Sequence, residues 1–86
     1  MSKGSKGWTV EVTVGCQTSN RLVCLQSFDI AIENQMEAES MARQRAGNGA
    51  VIQASRQRSY LSGLSPGRVR AGRTMIVPRS RLAVSA

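Results

Sequence analysis

The sequence predicts an α+β fold in which one helix packs on a small antiparallel sheet, in the order β-β-α-β with an optional final strand. Two observations carry this prediction. Residues 8–14, WTVEVTV, alternate strictly between apolar and polar side chains, which is the period of a half-buried strand, and at residue 34 the pattern changes to that of a helix. With 86 residues the chain forms one domain with a thin core.

The first two strands are predicted to form a β-hairpin. The apolar side of the first strand consists of Trp8, Val10, Val12 and Val14. Turn-prone residues follow at 15–20, and the apolar alternation resumes at Phe28, Ile30 and Ile32. Val23 and Leu25 are out of phase with Phe28, so we expect a β-bulge near Gln26 or Ser27 that exchanges the faces of the second strand.

A helix is predicted to begin at Asn34. The sequence NQME is a capping box, in which the Asn34 side chain accepts a hydrogen bond from the third-residue backbone N–H and Glu37 reaches back. Its apolar stripe consists of Ala38, Met41, Ala42 and Ala46, and the small alanines allow close approach to a sheet. Gly47 or Gly49 is expected to supply the left-handed residue that ends the helix.

The segment AVIQASRQRSYL begins as a third strand. If that strand is regular, Arg56 and Arg58 project on the same side as Ile52 and Ala54. The strand must then extend beyond the core, or twist away from it, before it reaches Arg56. An alternative interpretation is that both arginines are solvated edge residues that discourage aggregation between sheets.

The last quarter of the chain contains a predicted turn and a predicted edge. Pro66 and Gly67 suit the second and third positions of a turn, where the third requires a positive φ. RTMIVP favours a short fourth strand that ends at Pro78, which cannot donate to a ladder and so favours an edge.

These elements divide the chain into three parts. Residues 1–7 are expected to form a flexible basic tail, residues 8–62 the β-β-α-β core, and residues 63–86 a basic loop followed by an edge strand or a C-terminal arm. The choice between strand and arm stays open for residues 68–86, because RSRLAVSA carries weak structural signals.

Charge is distributed unevenly along the chain. Residues 1–39 carry a net charge of −2, whereas residues 40–86 contain nine arginines and no acidic residue, and the whole chain has a net charge of +7. Such an asymmetry indicates a polyanion or an acidic protein surface as the partner.

Arginines two residues apart suggest how such a partner is bound. In extended backbone these side chains point the same way, so the pairs 56/58 and 68/70 each form a two-pronged basic face. If the segments that carry the two pairs lie side by side, four guanidinium groups form one patch that can bind phosphates bidentately. The candidate partner-binding or phosphate-binding residues are Arg56, Arg58, Arg68, Arg70, Arg73, Arg79 and Arg81. Without a helix-turn-helix, zinc-finger or RNP-type motif, contact with the nucleic-acid backbone is expected rather than sequence-specific reading.

The residue inventory argues against an enzyme. The chain has no histidine, so the commonest general base and metal ligand is absent. The spacing of Cys16 and Cys24 matches no usual zinc site, and Asp29, Glu33 and Glu37 are interpreted as solvated strand residues and a helix cap. We therefore expect a non-enzymatic protein without a metal or cofactor.

The compartment is expected to be the cytoplasm, and no membrane contact is expected. No run of 18 apolar residues is present, and the N-terminus MSKGSKGW lacks the apolar region of a secretory signal. Cys16 and Cys24 are accordingly expected to be reduced. A disulfide is the alternative if a hairpin turn is centred on Asn20.

The run FDIAIENQMEAESMARQRAGNGAVIQA, residues 28–54, resembles the strand, alanine-rich helix and strand module of small phage-encoded proteins. Among these it is most similar to anti-CRISPR proteins that inhibit type I surveillance complexes. The resemblance covers about a third of the chain and carries over no functional residue. It implies a compact protein that docks on the nucleic-acid-binding surface of a ribonucleoprotein complex in the host cytoplasm and performs no chemistry.

Three functional hypotheses follow from these observations. The first is an anti-CRISPR-like inhibitor that docks its arginine-rich surface on a nucleic-acid-handling host complex. The second is a module that binds the backbone of naked nucleic acid directly. The third is a virion assembly protein whose basic arm, residues 67–86, becomes ordered only against its neighbours.

Overall fold

Four strands and one helix form in the order that the sequence predicts, including the final strand. The elements are β1 (Gly4–Gly15), β2 (Leu22–Ile30), α1 (Gln35–Ala46), β3 (Val51–Ser62) and β4 (Val69–Pro78), followed by a 3₁₀ helix at Arg79–Arg81. This computed structural model describes residues 4–15, 21–47 and 49–81, without the side chain of Arg81.

The strands form one antiparallel sheet in the order β3-β1-β2-β4. Strands β1 and β2 are therefore central, while β3 and β4 are the two edges. The helix α1 packs across β1, β2 and β3 and covers one face of the sheet, here called the helix face. The opposite face, which carries Thr9, Glu11 and Thr13 of β1, is called the open face.

One predicted boundary is corrected by the strands, because β1 begins at Gly4 and residues 4–7 therefore belong to the sheet and not to a flexible tail. The open choice between strand and arm is decided for residues 69–78, which form β4, the expected edge strand. Residues 1–3 and 82–86, which belong to the predicted tail and arm, lie outside the described residues.

The core lies between the helix and the helix face of the sheet. Its buried side chains are Val10, Val12, Phe28, Ile30, Ala38 and Ala42, with Trp8, Ile32, Met41 and Ile52 packed at its margin. Ala38 and Ala42 have no exposed surface, as the predicted stripe requires. Because a methyl is the largest group between the helix axis and the strands at these positions, the backbones approach closely.

The predicted Asn34 cap and the predicted glycine at the end of the helix both form. The backbone N–H of Glu37 donates to Asn34 Oδ1 at 3.0 Å, which satisfies one of the unpaired amides of the first turn. At the other end Gly47 adopts a φ of 107° and its N–H donates to the Arg43 carbonyl. Since a side chain is disfavoured at positive φ, glycine ends the helix at low cost.

The predicted exchange of faces in β2 is wrong. β1 and β2 pair without any shift of register from Trp8–Ile30 to Gly15–Val23. Val23 and Leu25 therefore lie on the open face, opposite to Phe28. A bulge does occur opposite Ser27, but its extra residue belongs to β4, between Ala71 and Thr74.

A bulge in β3 decides where its arginines point. Glu11 pairs with Ala54 but Val12 pairs with Ile52, so Gln53 is an extra residue. Gln53 Nε2 donates to Thr13 Oγ1 at 2.9 Å, which places its side chain on the open face. The strand is thus not regular, and Ala54, Arg56 and Arg58 face away from the side that Ile52 shares with the helix.

The β3–β4 loop crosses one end of the sheet because its two strands lie on opposite edges. Ser65 to Arg68 forms the predicted turn, in which Arg68 N donates to the Ser65 carbonyl at 3.1 Å and Gly67 has a φ of 80°. Gly67 N donates to the Ala31 carbonyl at 2.8 Å. Leu64 packs on Leu61 and Ala31 in a second buried cluster. The loop is therefore attached to the end of β2.

Cys24 lies opposite Val14 in the hairpin and is a free thiol. Cys16, its partner in the alternative of a disulfide, and Asn20, the centre of the turn that this alternative requires, lie outside the described residues. Among the described residues, none of the helices has the length and apolar character needed to cross a membrane.

Candidate functional site

The open face gathers most of the candidate arginines. Thr9 pairs with Arg56 on one side and with Asp29 on the other, and Asp29 pairs with Arg70. These four residues form one row that crosses all four strands. Since directly paired residues share a face, all four side chains project from the open face. Arg58 is the next residue of β3 on the same face, two residues after Arg56. Arg73 lies on β4 on the other side of the row.

Hydrogen bonds connect Thr9, Asp29 and Arg70 of this row with the neighbouring Arg58 in one network. Arg58 Nη1 donates to Thr9 Oγ1 at 3.0 Å, and Thr9 Oγ1 donates to Asp29 Oδ1 at 2.8 Å. Arg70 Nη2 lies 2.9 Å from Asp29 Oδ2 in an ion pair. A single carboxylate therefore accepts from both sides and connects the two edges of the sheet.

Arg70 also connects the two edge strands directly. Its Nη1 donates to the Ser62 carbonyl at 2.8 Å, at the end of β3. One guanidinium group thus contacts β2 and β3 from its position on β4, and closes the β3–β4 loop over the end of the sheet. Arg70 has a structural role as well as a place in the basic face.

The network orients the arginines but leaves donors unused. A guanidinium group carries five N–H donors, of which Arg58 uses one and Arg70 uses two in the bonds described above. Half of the Arg70 side chain is exposed, at 45%. The unused N–H groups can bind an anion without a large loss of side-chain entropy, because existing bonds already restrict the rotamers.

Arg56 and Arg73 have a different status. Both are exposed, and among the described residues neither forms an ion pair. Arg73 is fixed through its backbone, whose N–H donates to Ser27 Oγ at 3.1 Å. These two residues present their full charge to solvent and flank the network on β3 and β4.

The condition for a compact patch of the two arginine pairs, that their segments lie side by side, is not met. β3 and β4 are separated by β1 and β2, so Arg56 and Arg70 lie three strand spacings, or about 14 Å, apart at their Cα atoms. The arginines form a broad face and not a compact four-pronged patch.

Three of the candidate residues lie outside the four strands. Arg68 is exposed in the loop just before β4. Arg79 begins the 3₁₀ helix at the other end of β4, where its N–H donates to the Arg21 carbonyl at 2.7 Å. Arg81 ends that helix, and its side chain lies outside the description.

A small cavity lies on the open face beside the arginine row. It has a volume of about 180 Å³ and is lined by Glu11, Leu25, Ser27, Arg73 and Met75. Leu25 and Met75 are paired across β2 and β4 and form an apolar side. Glu11, Ser27 and the arginine supply polar groups on the other side.

The helix side of the molecule is more evenly charged. Glu37 lies in the first turn of α1 and Arg43 and Arg45 in the last, which complements the helix dipole. Hydrogen bonds from Ser55 and then from Gln35 lower the pKa of Glu39, with a further contribution from the Arg43 charge. The open face is the more positive of the two, because its four arginines oppose only Glu11 and Asp29, whereas the charges of α1 balance.

Sequence reasoning missed the groups that organise the arginines. The alternation of β1 places Thr9 only on the polar side of a strand, and the residue inventory interprets Asp29 as a solvated strand residue. The signal that identifies them is the pairing of β1 with β2, which places Thr9 beside Asp29. That pairing follows once Val10 of β1 is placed opposite Phe28 of β2, because Thr9 then lies opposite Asp29.

Among the described residues, no three His, Cys, Asp or Glu side chains are close enough to hold a metal ion. Comparison of the chain with protein-family models, with curated proteins and with solved structures found no match.

Proposed function

We propose that this protein is a non-enzymatic binding protein that acts in the cytoplasm and contacts the phosphate backbone of nucleic acid through its open face. The observation that carries the proposal is the hydrogen-bond network of the open face, in which the Asp29 carboxylate orients Arg70 directly and Arg58 through Thr9, from the two edge strands. Arginine forks bind phosphate oxygens bidentately.

The shape of the face favours a backbone ligand. Arg56 and Arg70 start from the two edge strands, with their Cα atoms about 14 Å apart, and Arg58 and Arg73 lie on either side of their row, so the four charges match a series of phosphates better than one small anion. Sheet faces that stack bases use exposed aromatic side chains. The residues of the open face described above include none, so charge supplies the affinity.

Salt titration tests the proposal. A labelled single-stranded oligonucleotide is bound at rising salt and followed by fluorescence anisotropy. We expect binding at low salt and a steep loss between low and physiological salt, because counterion release dominates this type of contact. Absence of binding at low salt to single-stranded and duplex probes alike would reject the proposal.

A matched pair of variants locates the contact. Arg56→Ala/Arg73→Ala removes two charges from the open face, while Arg43→Ala/Arg45→Ala removes two exposed charges from the end of α1. Both variants have the same net charge. Only the first is expected to weaken binding substantially, and equal effects would show non-specific attraction to a basic protein.

Docking on a ribonucleoprotein surveillance complex is a second proposal, in line with the anti-CRISPR resemblance. It is favoured by the breadth of the open face, which suits guide RNA held on the surface of a complex better than a narrow groove would. Pull-down of such a complex by this protein, with and without nuclease, tests it. The virion-arm hypothesis has less support, because residues 69–78 form a strand of the sheet.

A further inference from the structure

The cavity beside the arginine row contains a carboxylate with no partner. Glu11 is half-buried, and among the described residues it forms no hydrogen bond or ion pair. Its cross-strand neighbours are Ser27 and Ala54, and the short alanine side chain leaves it uncovered on one side. Asp29, the other carboxylate of this face, is fully engaged by Thr9 and Arg70.

The hydroxyl group of Ser27 is also partly unused. Its oxygen accepts from Arg73 N at 3.1 Å, and its own O–H has no acceptor among the described residues. The cavity thus presents the two carboxylate oxygens of Glu11 as acceptors and, next to them, the Ser27 hydroxyl as a donor. Leu25 and Met75 provide an apolar side, and Met75 is 48% exposed.

Size and charge restrict what this cavity accepts. At about 180 Å³ it is smaller than the roughly 300–1,000 Å³ of sites that enclose a whole small molecule, so it fits one flat ring system. A cation is disfavoured, because Arg73 lines the cavity and Arg56 lies nearby. The carboxylate is therefore suited to a neutral N–H donor.

We propose that this cavity binds a single unpaired guanine base of a nucleic-acid strand, with Glu11 accepting from its Watson–Crick edge. Guanine alone offers two adjacent donors, N1–H and the N2 amino group, followed by the O6 acceptor. These match the Glu11 carboxylate and the Ser27 hydroxyl. Adenine, cytosine, thymine and uracil each place a ring or carbonyl acceptor beside their donor, which repels a carboxylate.

The inference rests on the proposed function, because the arginines hold the phosphates on either side of the base. It adds base preference to a face from which the sequence predicts backbone contact alone. Single-strand readers commonly splay a base out and bind its Watson–Crick edge. The packing of Met75 and Leu25 against the ring removes apolar surface from water.

Anisotropy with matched probes tests this. The probes are oligothymidylate of about twelve nucleotides and the same strand with one central dG, dI or 7-deaza-dG. We expect dG to bind about five- to tenfold tighter than thymidine alone, as a bidentate base contact provides. Inosine lacks the N2 amino group and should lose much of the gain, whereas 7-deaza-dG keeps the edge and should retain it.

The decisive variant is Glu11→Gln, with Glu33→Gln, an exposed carboxylate outside this cavity, as the control. Glu11→Gln should abolish the dG preference and leave binding of oligothymidylate equal or tighter, because a negative charge is removed. A folding defect would instead weaken both probes. Retained preference in Glu11→Gln, or lost preference with 7-deaza-dG, would overturn the inference.

Other outcomes separate the two proposals. Binding of all probes without any dG preference overturns the guanine site and leaves backbone binding intact. Failure to bind any probe overturns both. If Glu11→Gln reduces capture of a ribonucleoprotein complex but changes no oligonucleotide affinity, the cavity accepts a protein side chain and the guanine inference is wrong.

Discussion

The Arg70 guanidinium and the Asp29 carboxylate form an ion pair of 2.9 Å that joins β4 to β2 on the open face. The same guanidinium donates to the Ser62 carbonyl, and the same carboxylate accepts from Thr9. Through these two residues all four strands share one polar network. The same interactions therefore link the four strands and fix the arginine side chains of the face proposed for binding.

Removal of the Asp29 carboxylate should destabilise the fold. Asp29→Ala leaves the Arg70 guanidinium and the Thr9 hydroxyl without their shared acceptor, and Asp29 is only 22% exposed. The expected loss is about 1–2 kcal/mol in the free energy of unfolding, measured by urea denaturation. Glu33→Ala, at an exposed carboxylate, is the control. An equal small effect for both variants would contradict a structural role for the network.

A side chain at Gly7 should be poorly tolerated. A Cβ there would collide with the Ile30 carbonyl oxygen and lie 2.9 Å from Ala31 Cα, both backbone atoms that cannot rotate away. Gly7→Ala should cost about 2 kcal/mol or more in unfolding free energy. The control is Gly15→Ala, because no atom of the described residues lies within 4 Å of a Cβ at that strand end. A thermal melt in which the two variants match would refute the close approach.

Stability should depend on pH through Glu39. Its Oε2 accepts from Ser55 Oγ and from Gln35 Nε2, and these bonds lower its pKa below the ordinary value of 4.5. A lowered pKa means stabilisation that is present above pH 4.5 and lost as the pH falls through the folded-state value.

Urea denaturation at pH 7 and near pH 3 measures this contribution. The difference in unfolding free energy between the native chain and Glu39→Gln should be present at pH 7 and shrink at the acidic pH. Ser55→Ala should reduce the pH dependence in the same direction, because the Ser55 bond is the main cause of the shift. If the difference in unfolding free energy between the native chain and Glu39→Gln does not change with pH, Glu39 is not the source of the pH dependence.

The salt dependence of nucleic-acid affinity should show which individual arginines contact phosphate. Each phosphate contact that is removed lowers the slope of log affinity against log salt by about one. Arg56→Ala should show this reduction, because its exposed guanidinium faces solvent on the open face. Arg70→Ala should also destabilise the fold, through Asp29 and Ser62, so its melting temperature must be measured beside its affinity. An unchanged slope in Arg56→Ala would remove that residue from the interface.

The elements themselves were predictable because their signals are local. The alternation from Trp8 to Val14, the Asn34 cap, the alanine stripe and the Pro66–Gly67 turn each depend on residues close in the chain. Binary pattern and capping chemistry act over a few residues, so they are readable without the fold. The positions of the extra residues in β3 and β4 were not, because an extra residue is defined only relative to a partner strand.

What the sequence alone determined is the α+β class, the strand and helix order, the apolar face of β1 and the concentration of positive charge after residue 39. Tertiary structure decided which arginines share a face. The order β3-β1-β2-β4 separates Arg56 from Arg70, and the bulge at Gln53 turns Arg56 and Arg58 away from the helix. Partners and register depend on contacts distant in sequence, and a shift of one residue exchanges every side chain between the two faces.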